Sequence, residues 1–159
     1  MGAGQASGSF EIESLLAVDA ARLWAHASSL EGVNFELMPL CRMTYPAHAR
    51  ELTPATVPLG QRLFRSWVLL GGVLPVDYDD LTLVELEPGR RFLERSALAT
   101  QRSWEHERTL TPIAGGCRIV DRLCFVPRFP WMLGASRAVV GFLFAHRHRR
   151  LRARFGTVT

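Results

Sequence analysis

The chain has 159 residues, of which 48% are hydrophobic, and its formal net charge is +4. That length fits one domain burying roughly two thirds of its unfolded surface, and the apolar content excludes a disordered chain. All 19 basic side chains are arginine, which excludes Schiff-base chemistry on lysine and a P-loop lysine. No run of about 18 uncharged apolar residues offers a membrane span.

Met1 to Ser9 is rich in Gly, Ala and Ser, without the basic start and apolar stretch of a signal peptide, so a flexible leader (1–9) is expected before one domain over 10–156. Phe10 to Ala17 alternates Phe10, Ile12 and Ser14 against Glu11, Glu13 and Leu15, which predicts a strand. Asp19 caps a short helix over Ala20 to Ala27, and Ser28 or Ser29 caps a second that runs to about Leu37 and is ended by Pro39. Strand patterns return at Cys41 to Tyr45 and Gln61 to Leu70. The segment between them, with Pro46, Pro54 and Pro58, is expected as a loop over a binding site. Gly71, Gly72 and Pro75 predict a turn or bulge, with Pro75 excluding continuation as a central strand there. Asp77, Asp79 and Asp80 lack calcium-loop spacing and read as a turn. Tyr78 to Glu87 and Arg91 to Ala97 are strands joined at Pro88 and Gly89. Pro127 and Pro130 stop the sheet, and Met132 to Arg154 reads as one long helix carrying Val140, Leu143, Phe144 and Leu151 at helical spacing.

Arg102 to Leu110 and Cys117 to Val126 alternate most regularly and predict a hairpin about Pro112 to Gly116. One face carries Trp104, His106 and Arg108 with Ile119, Asp121, Leu123 and Phe125. The other carries Ser103, Glu105, Glu107 and Thr109 beside Arg118 and Arg122, as a solvated surface with cross-strand pairs does. Folding about the turn sets Arg108 opposite Asp121 and Trp104 opposite Phe125. A buried guanidinium needs a carboxylate, so the pair is either structural or a polar anchor in a cavity. His106, between Trp104 and Arg108, is a hydrogen-bonded wall residue or the one acid/base candidate. Phe64, Ser66 and Val68 join this wall if the even positions of their strand turn inward, as do Tyr78, Asp80 and Thr82 in the corresponding register.

Cys41, Cys117 and Cys124 are scattered, and no HExxH is present, so neither a disulfide framework nor a metal site is expected. Asn34 and Glu36 read as cap or surface residues, or as polar groups lining a cavity mouth.

The element order, the segment Ser103 to Glu107 before a Gly turn, the Asp121 strand ending at Pro127 and the closing helix with Phe144, His146, Arg147, His148, Leu151 and Phe155 resemble the START/SRPBCC helix-grip superfamily. The likeness is to its bacterial polyketide-cyclase/dehydrase-like and coenzyme-Q-binding-like members, with the birch-pollen-allergen type of fold. It covers Phe10 to Phe155. It implies an α+β fold in which a curved antiparallel sheet of about six to seven strands wraps a long C-terminal helix, with two short helices after the first strand. It also implies a cavity for lipids, isoprenoids or polyketides. The superfamily offers no shared catalytic motif, so no residue here inherits a catalytic role.

The expected function is binding of a small hydrophobic or amphipathic ligand by Trp104, His106, Arg108, Asp121, Leu123, Phe125, Phe64, Ser66 and Tyr78, without a cofactor or metal. The alternative is a cyclase, dehydratase or hydrolase using His106, for which no nucleophile is identified. Arg147, Arg149, Arg150, Arg152 and Arg154 read as a solvated helix face able to touch an anionic membrane transiently. No nucleic-acid module is recognised, and a cytoplasmic location is the default.

Overall fold

The computed structural model describes residues 5–51 and 53–159. Seven strands, β1 (Gly8–Leu16), β2 (Cys41–Met43), β3 (Arg62–Leu70), β4 (Leu74–Glu87), β5 (Arg91–Leu98), β6 (Gln101–Ile113) and β7 (Gly116–Pro127), form one sheet in the order β1-β7-β6-β5-β4-β3-β2. Every neighbouring pair is antiparallel. Helices α1 (Ala20–Ala27) and α2 (Leu30–Leu37) follow β1, and α3 (Leu133–Phe155) lies across the curled sheet as the gripped helix. This is the helix-grip α+β architecture. The start of the expected leader, Met1 to Gly4, lies outside the described residues, while Gly8 and Ser9 already pair with Phe125 and Cys124 of β7.

Local chemistry sets the corners. Asp19 accepts from the Arg22 amide at 2.9 Å to start α1, and Ser29 accepts from Gly32 at 2.9 Å to start α2. Gly32 is required by proximity: a Cβ there would sit 1.9 Å from the His26 carbonyl oxygen, so only glycine lets the two helices meet at this angle. The β6–β7 hairpin has the expected register, with Arg108 opposite Asp121 and Trp104 opposite Phe125. Its turn is tighter than expected, because Pro112 and Ile113 still pair with Cys117 and Gly116.

The turn expected at Gly71 and Gly72 is present, with positive φ at both glycines, and a register shift falls beside Pro75, but the strand expected from Tyr78 starts earlier. β4 begins at Leu74, and Pro75 pairs with Leu69 next to a register shift, where a missing amide hydrogen is tolerated. Asp77, Asp79 and Asp80 are therefore strand residues.

Outward-facing side chains form a ladder of charge pairs: Glu11 with Arg122 at 2.6 Å, Glu107 with Arg122 at 3.2 Å, and Glu105 with Arg95 at 2.7 Å. Inward, the core is split. One apolar cluster joins Leu16, Leu23, Leu110, Ile119 and Leu151, tying β1, α1, β6 and β7 to the last turns of α3. A second joins Leu123 and Phe125 to Val140 and Phe144 under the middle of α3. Both lie on the β1–β7–β6 side. The β3–β4–β5 side is covered differently.

Candidate functional site: a cavity beside a buried ion cluster

Between α3 and the β3–β4–β5 half of the sheet is a cavity of about 870 Å³, near the top of the range for small-molecule sites. Phe64, Ser66 and Val68 of β3, Leu81 and Leu83 of β4, Phe92 of β5 and Trp104 and His106 of β6 form its floor. Val140, Leu143 and Phe144 of α3 form the roof, and Val33, Asn34 and Leu37 of α2 close one end. Its mouth is marked by lining residues that are themselves exposed: Leu70 and Val76 at the β3–β4 hairpin, Val139 and Phe142 on α3. The proline-containing segment also reaches it through Thr53, Pro54 and Val57.

Beside this space lies a cluster of charges withdrawn from water. The Arg108 guanidinium donates to Asp121 from Nε and Nη2, each at 2.7 Å, and to both Glu36 oxygens at 2.9 Å. All three side chains are fully buried. Arg147 of α3 adds Nε to Glu36 Oε2 at 2.9 Å. His106 and His148 approach the two oxygens of Asp121 at 2.8 and 2.9 Å, and His148 Nδ1 meets Ser14 Oγ at 2.8 Å. Two guanidinium groups thus face two carboxylates, so charge balances where desolvation is complete. Burial alone raises carboxyl pKa values, but Arg108 and Arg147 override it and hold Glu36 far below the carboxylate range; Arg108 and His106 do the same for Asp121. His106 moves upward: burial opposes its charge, yet Asp121 and Glu94 favour the imidazolium more.

A second polar group faces the cavity itself. Asp79 of β4 is buried within reach of Glu94 and Ser96 of β5, and both carboxyl groups line the space. Desolvation first, and then the Glu94 charge, push the Asp79 carboxyl well above its ordinary value. Ser96 Oγ donates to Glu94 at 2.8 Å.

The expected residues divide four ways. Trp104, His106, Phe64 and Ser66 line the cavity. Arg108 and Asp121 lie in the ion cluster, and Leu123 and Phe125 are sealed in the dry core. Tyr78 is corrected: it stands against Trp67 with ring centroids 5.6 Å apart and under the Arg65 guanidinium, on the face opposite the cavity. Asp80 likewise pairs outward with Arg65 at 2.8 Å. From Asp77 to Leu83 the inward positions of β4 are the odd ones, and past the register shift at Leu83 and Glu85 Leu86 turns inward. Thr82 falls with the even positions.

Three residues of the ion cluster escaped the sequence reading. Glu36, read as a cap or surface residue, has no exposed area. Donor counting signals it, since one carboxylate offers too few acceptors for the five N–H groups of a buried guanidinium. Arg147, read within a solvated face, is buried on Glu36; His148 is buried on Asp121. Both sit one turn from Phe144 and Leu151, hence on the apolar face of α3. Arg152 also turns inward, donating to Ser14 at 2.9 Å, and Arg150 donates to the Phe35 carbonyl at 3.1 Å. Arg149 and Arg154 are the exposed members of that run. Among the described residues no cluster of His, Cys, Asp or Glu could hold a metal ion, and no helix is long and apolar enough to cross a membrane.

Replacing Arg108 by Met removes the guanidinium shared by two buried carboxylates and lowers the unfolding free energy by about 3–5 kcal/mol in urea titrations. The exposed-pair control Arg65→Met costs under about 1 kcal/mol. A small loss at Arg108 contradicts the assigned role. Asp79 gives a pH signature of the opposite kind. Its raised carboxyl binds a proton more tightly folded than unfolded, so its contribution is complete below about pH 4 and is lost as pH rises toward the folded value. Asp79→Asn therefore melts above the parent protein at pH 8, and the gap closes toward pH 4. A gap independent of pH contradicts the burial argument.

The fold is shared with solved structures of low identity. Protein CV1439 from Chromobacterium violaceum superposes with a TM-score of 0.71 at 13% identity, over 94% of this chain and 99% of that one. A START superfamily protein from Mycobacterium smegmatis gives 0.66 at 12% identity, over 94% and 96%. The di-domain ARO/CYC StfQ from the steffimycin biosynthetic pathway gives 0.65 at 12% identity, over 92% of this chain and 50% of its own. No curated protein matches the sequence. Residues 14–155 match the family described as Domain of unknown function (DUF8410), and the chain belongs to that family.

Proposed function

We propose that this protein binds a small hydrophobic or amphipathic molecule in the cavity between the sheet and α3, as a cytoplasmic carrier or binding protein of a single domain. The supporting observation is the asymmetry of the interior: the β1–β7–β6 half is closed by its own side chains, whereas the β3–β4–β5 half leaves about 870 Å³ behind an exposed apolar mouth. Removing roughly 250 Å² of apolar ligand surface from water contributes on the order of 6 kcal/mol before the costs of association. Aromatic rings at Phe64, Phe92 and Trp104 supply much of the matching surface.

The alternative of an enzyme using His106 has less support. Nε2 is 2.8 Å from Asp121 and Nδ1 is 3.7 Å from Glu94, so carboxylates face both ring nitrogens and favour the charged ring. A general base needs a free nitrogen and a neutral ring. The likeness to an ARO/CYC protein supports a cavity of this class rather than a reaction.

The test is fluorescence titration with neutral N-phenyl-1-naphthylamine. The parent protein binds one equivalent, and Val68→Trp and Leu83→Trp, which fill the space, weaken binding at least tenfold with unchanged circular dichroism. Arg65→Gln on the outer face leaves it unchanged. Absence of binding, or equal binding by the filled variants, overturns the proposal.

A further inference from the structure

The polar wall of the cavity engages most of its side-chain donors within the protein. Ser66 Oγ donates to the Thr44 carbonyl at 2.6 Å, Thr100 Oγ1 to Asp77 at 2.5 Å, Asn34 Nδ2 to the Met43 carbonyl at 2.9 Å and Ser96 Oγ to Glu94. Arg147 is committed to Glu36, and His106 to Asp121. These donors are engaged within the protein, which leaves the indole N–H groups of Trp24 and Trp104, Nη1 of Arg147 and the Ser136 hydroxyl. Two buried acceptors also remain. Asp79 Oδ1 and Gln101 Oε1 are buried atoms without a partner, on residues that line the cavity. Gln101 spends its amide nitrogen on Ser136 at 3.1 Å, in the first turn of α3.

Unpartnered buried acceptors are costly, and a bound molecule that brings donors removes the cost. The charges facing Asp79 sharpen the choice of donor. Asp77 lies on its own strand and Glu94 on β5, and both are acidic. The cations on the adjoining elements, His106 of β6 and Arg147 of α3, are held by the carboxylates of the ion cluster. Immediately around Asp79 the charges that act on it are therefore acidic.

We propose that the ligand is an amphipathic amine, whose apolar body fills the space and whose ammonium group donates to Asp79 beside Glu94. This rests on the ligand-binding reading above and names its ligand class. A neutral alcohol satisfies the same acceptors without the charge, and an anion is repelled by them. As the ammonium enters, the proton carried by the Asp79 carboxyl leaves to solvent. Affinity for the amine therefore rises with pH through the Asp79 titration, while an alkylamine stays protonated until about pH 10.

The experiment displaces N-phenyl-1-naphthylamine with decylamine, decanol and decanoate at pH 6, 7 and 8. Decylamine binds at least tenfold tighter than decanol at pH 8, decanoate is weakest, and the amine preference grows from pH 6 to pH 8. Asp79→Asn and, independently, Glu94→Gln reduce that preference to about threefold or less, with decanol affinity kept within about twofold. Equal affinity for amine and alcohol, a preference that survives both substitutions, or tightest binding by decanoate overturns the inference. If decanol displaces the dye without an amine preference, the cavity reading stands and only the ligand class falls. If the dye and all three probes fail to bind, both fall together.

Discussion

The contact of Arg108 with Glu36 and Asp121 is the constraint on which the rest of the structure depends. A guanidinium with no access to water is tolerated only when its donors are satisfied by carboxylates in good geometry. Here those carboxylates come from different elements, Asp121 from the adjacent strand and Glu36 from α2. Arg147 extends the same cluster to α3. The cluster therefore fixes the distance of two helices from the sheet. Apolar packing is less particular about separation, whereas hydrogen-bonded charge is not.

That fixed separation explains how a protein with two dry clusters can also hold an empty space. On the β1–β7–β6 side, Leu123, Phe125, Val140 and Phe144 bridge the gap that the ion cluster defines. On the other side the inward positions include Ser66 and Asp79, which are too short or too polar to bridge it, and the space stays open. The short polar residues thus have two effects: they leave volume, and they leave acceptors inside it. A cavity lined with aromatic rings and furnished with unpartnered acceptors is a description of a complementary molecule.

Much of this was legible in the chain. The β6–β7 hairpin could be read to the residue, because strict alternation and a Gly turn determine both face and register, and the pairing of Arg108 with Asp121 followed. The helices after β1 were legible from Asp19 and Ser29, and α3 from its proline-free length. The inward face of β4 was not, because register shifts on both of its edges and a strand start at Leu74 put Asp79 rather than Tyr78 on the wall. Glu36 was hidden for another reason. Its partner, Arg108, is distant in sequence, and a short helix gives no local sign that a carboxylate faces inward. Arg147 and His148 were legible in principle from their spacing to Phe144 and Leu151, but a run of arginines looks solvated until the carboxylates that receive it are known.

The central claim is that one half of the interior is a binding space and the other half is a sealed core. Methyl-resolved nuclear magnetic resonance with a saturating neutral apolar probe tests it most directly. The account predicts intermolecular Overhauser contacts from the probe to Val68, Leu81 and Leu83, and none to Leu110 or Leu123. Contacts confined to exposed residues, or spread equally over both halves, would contradict it.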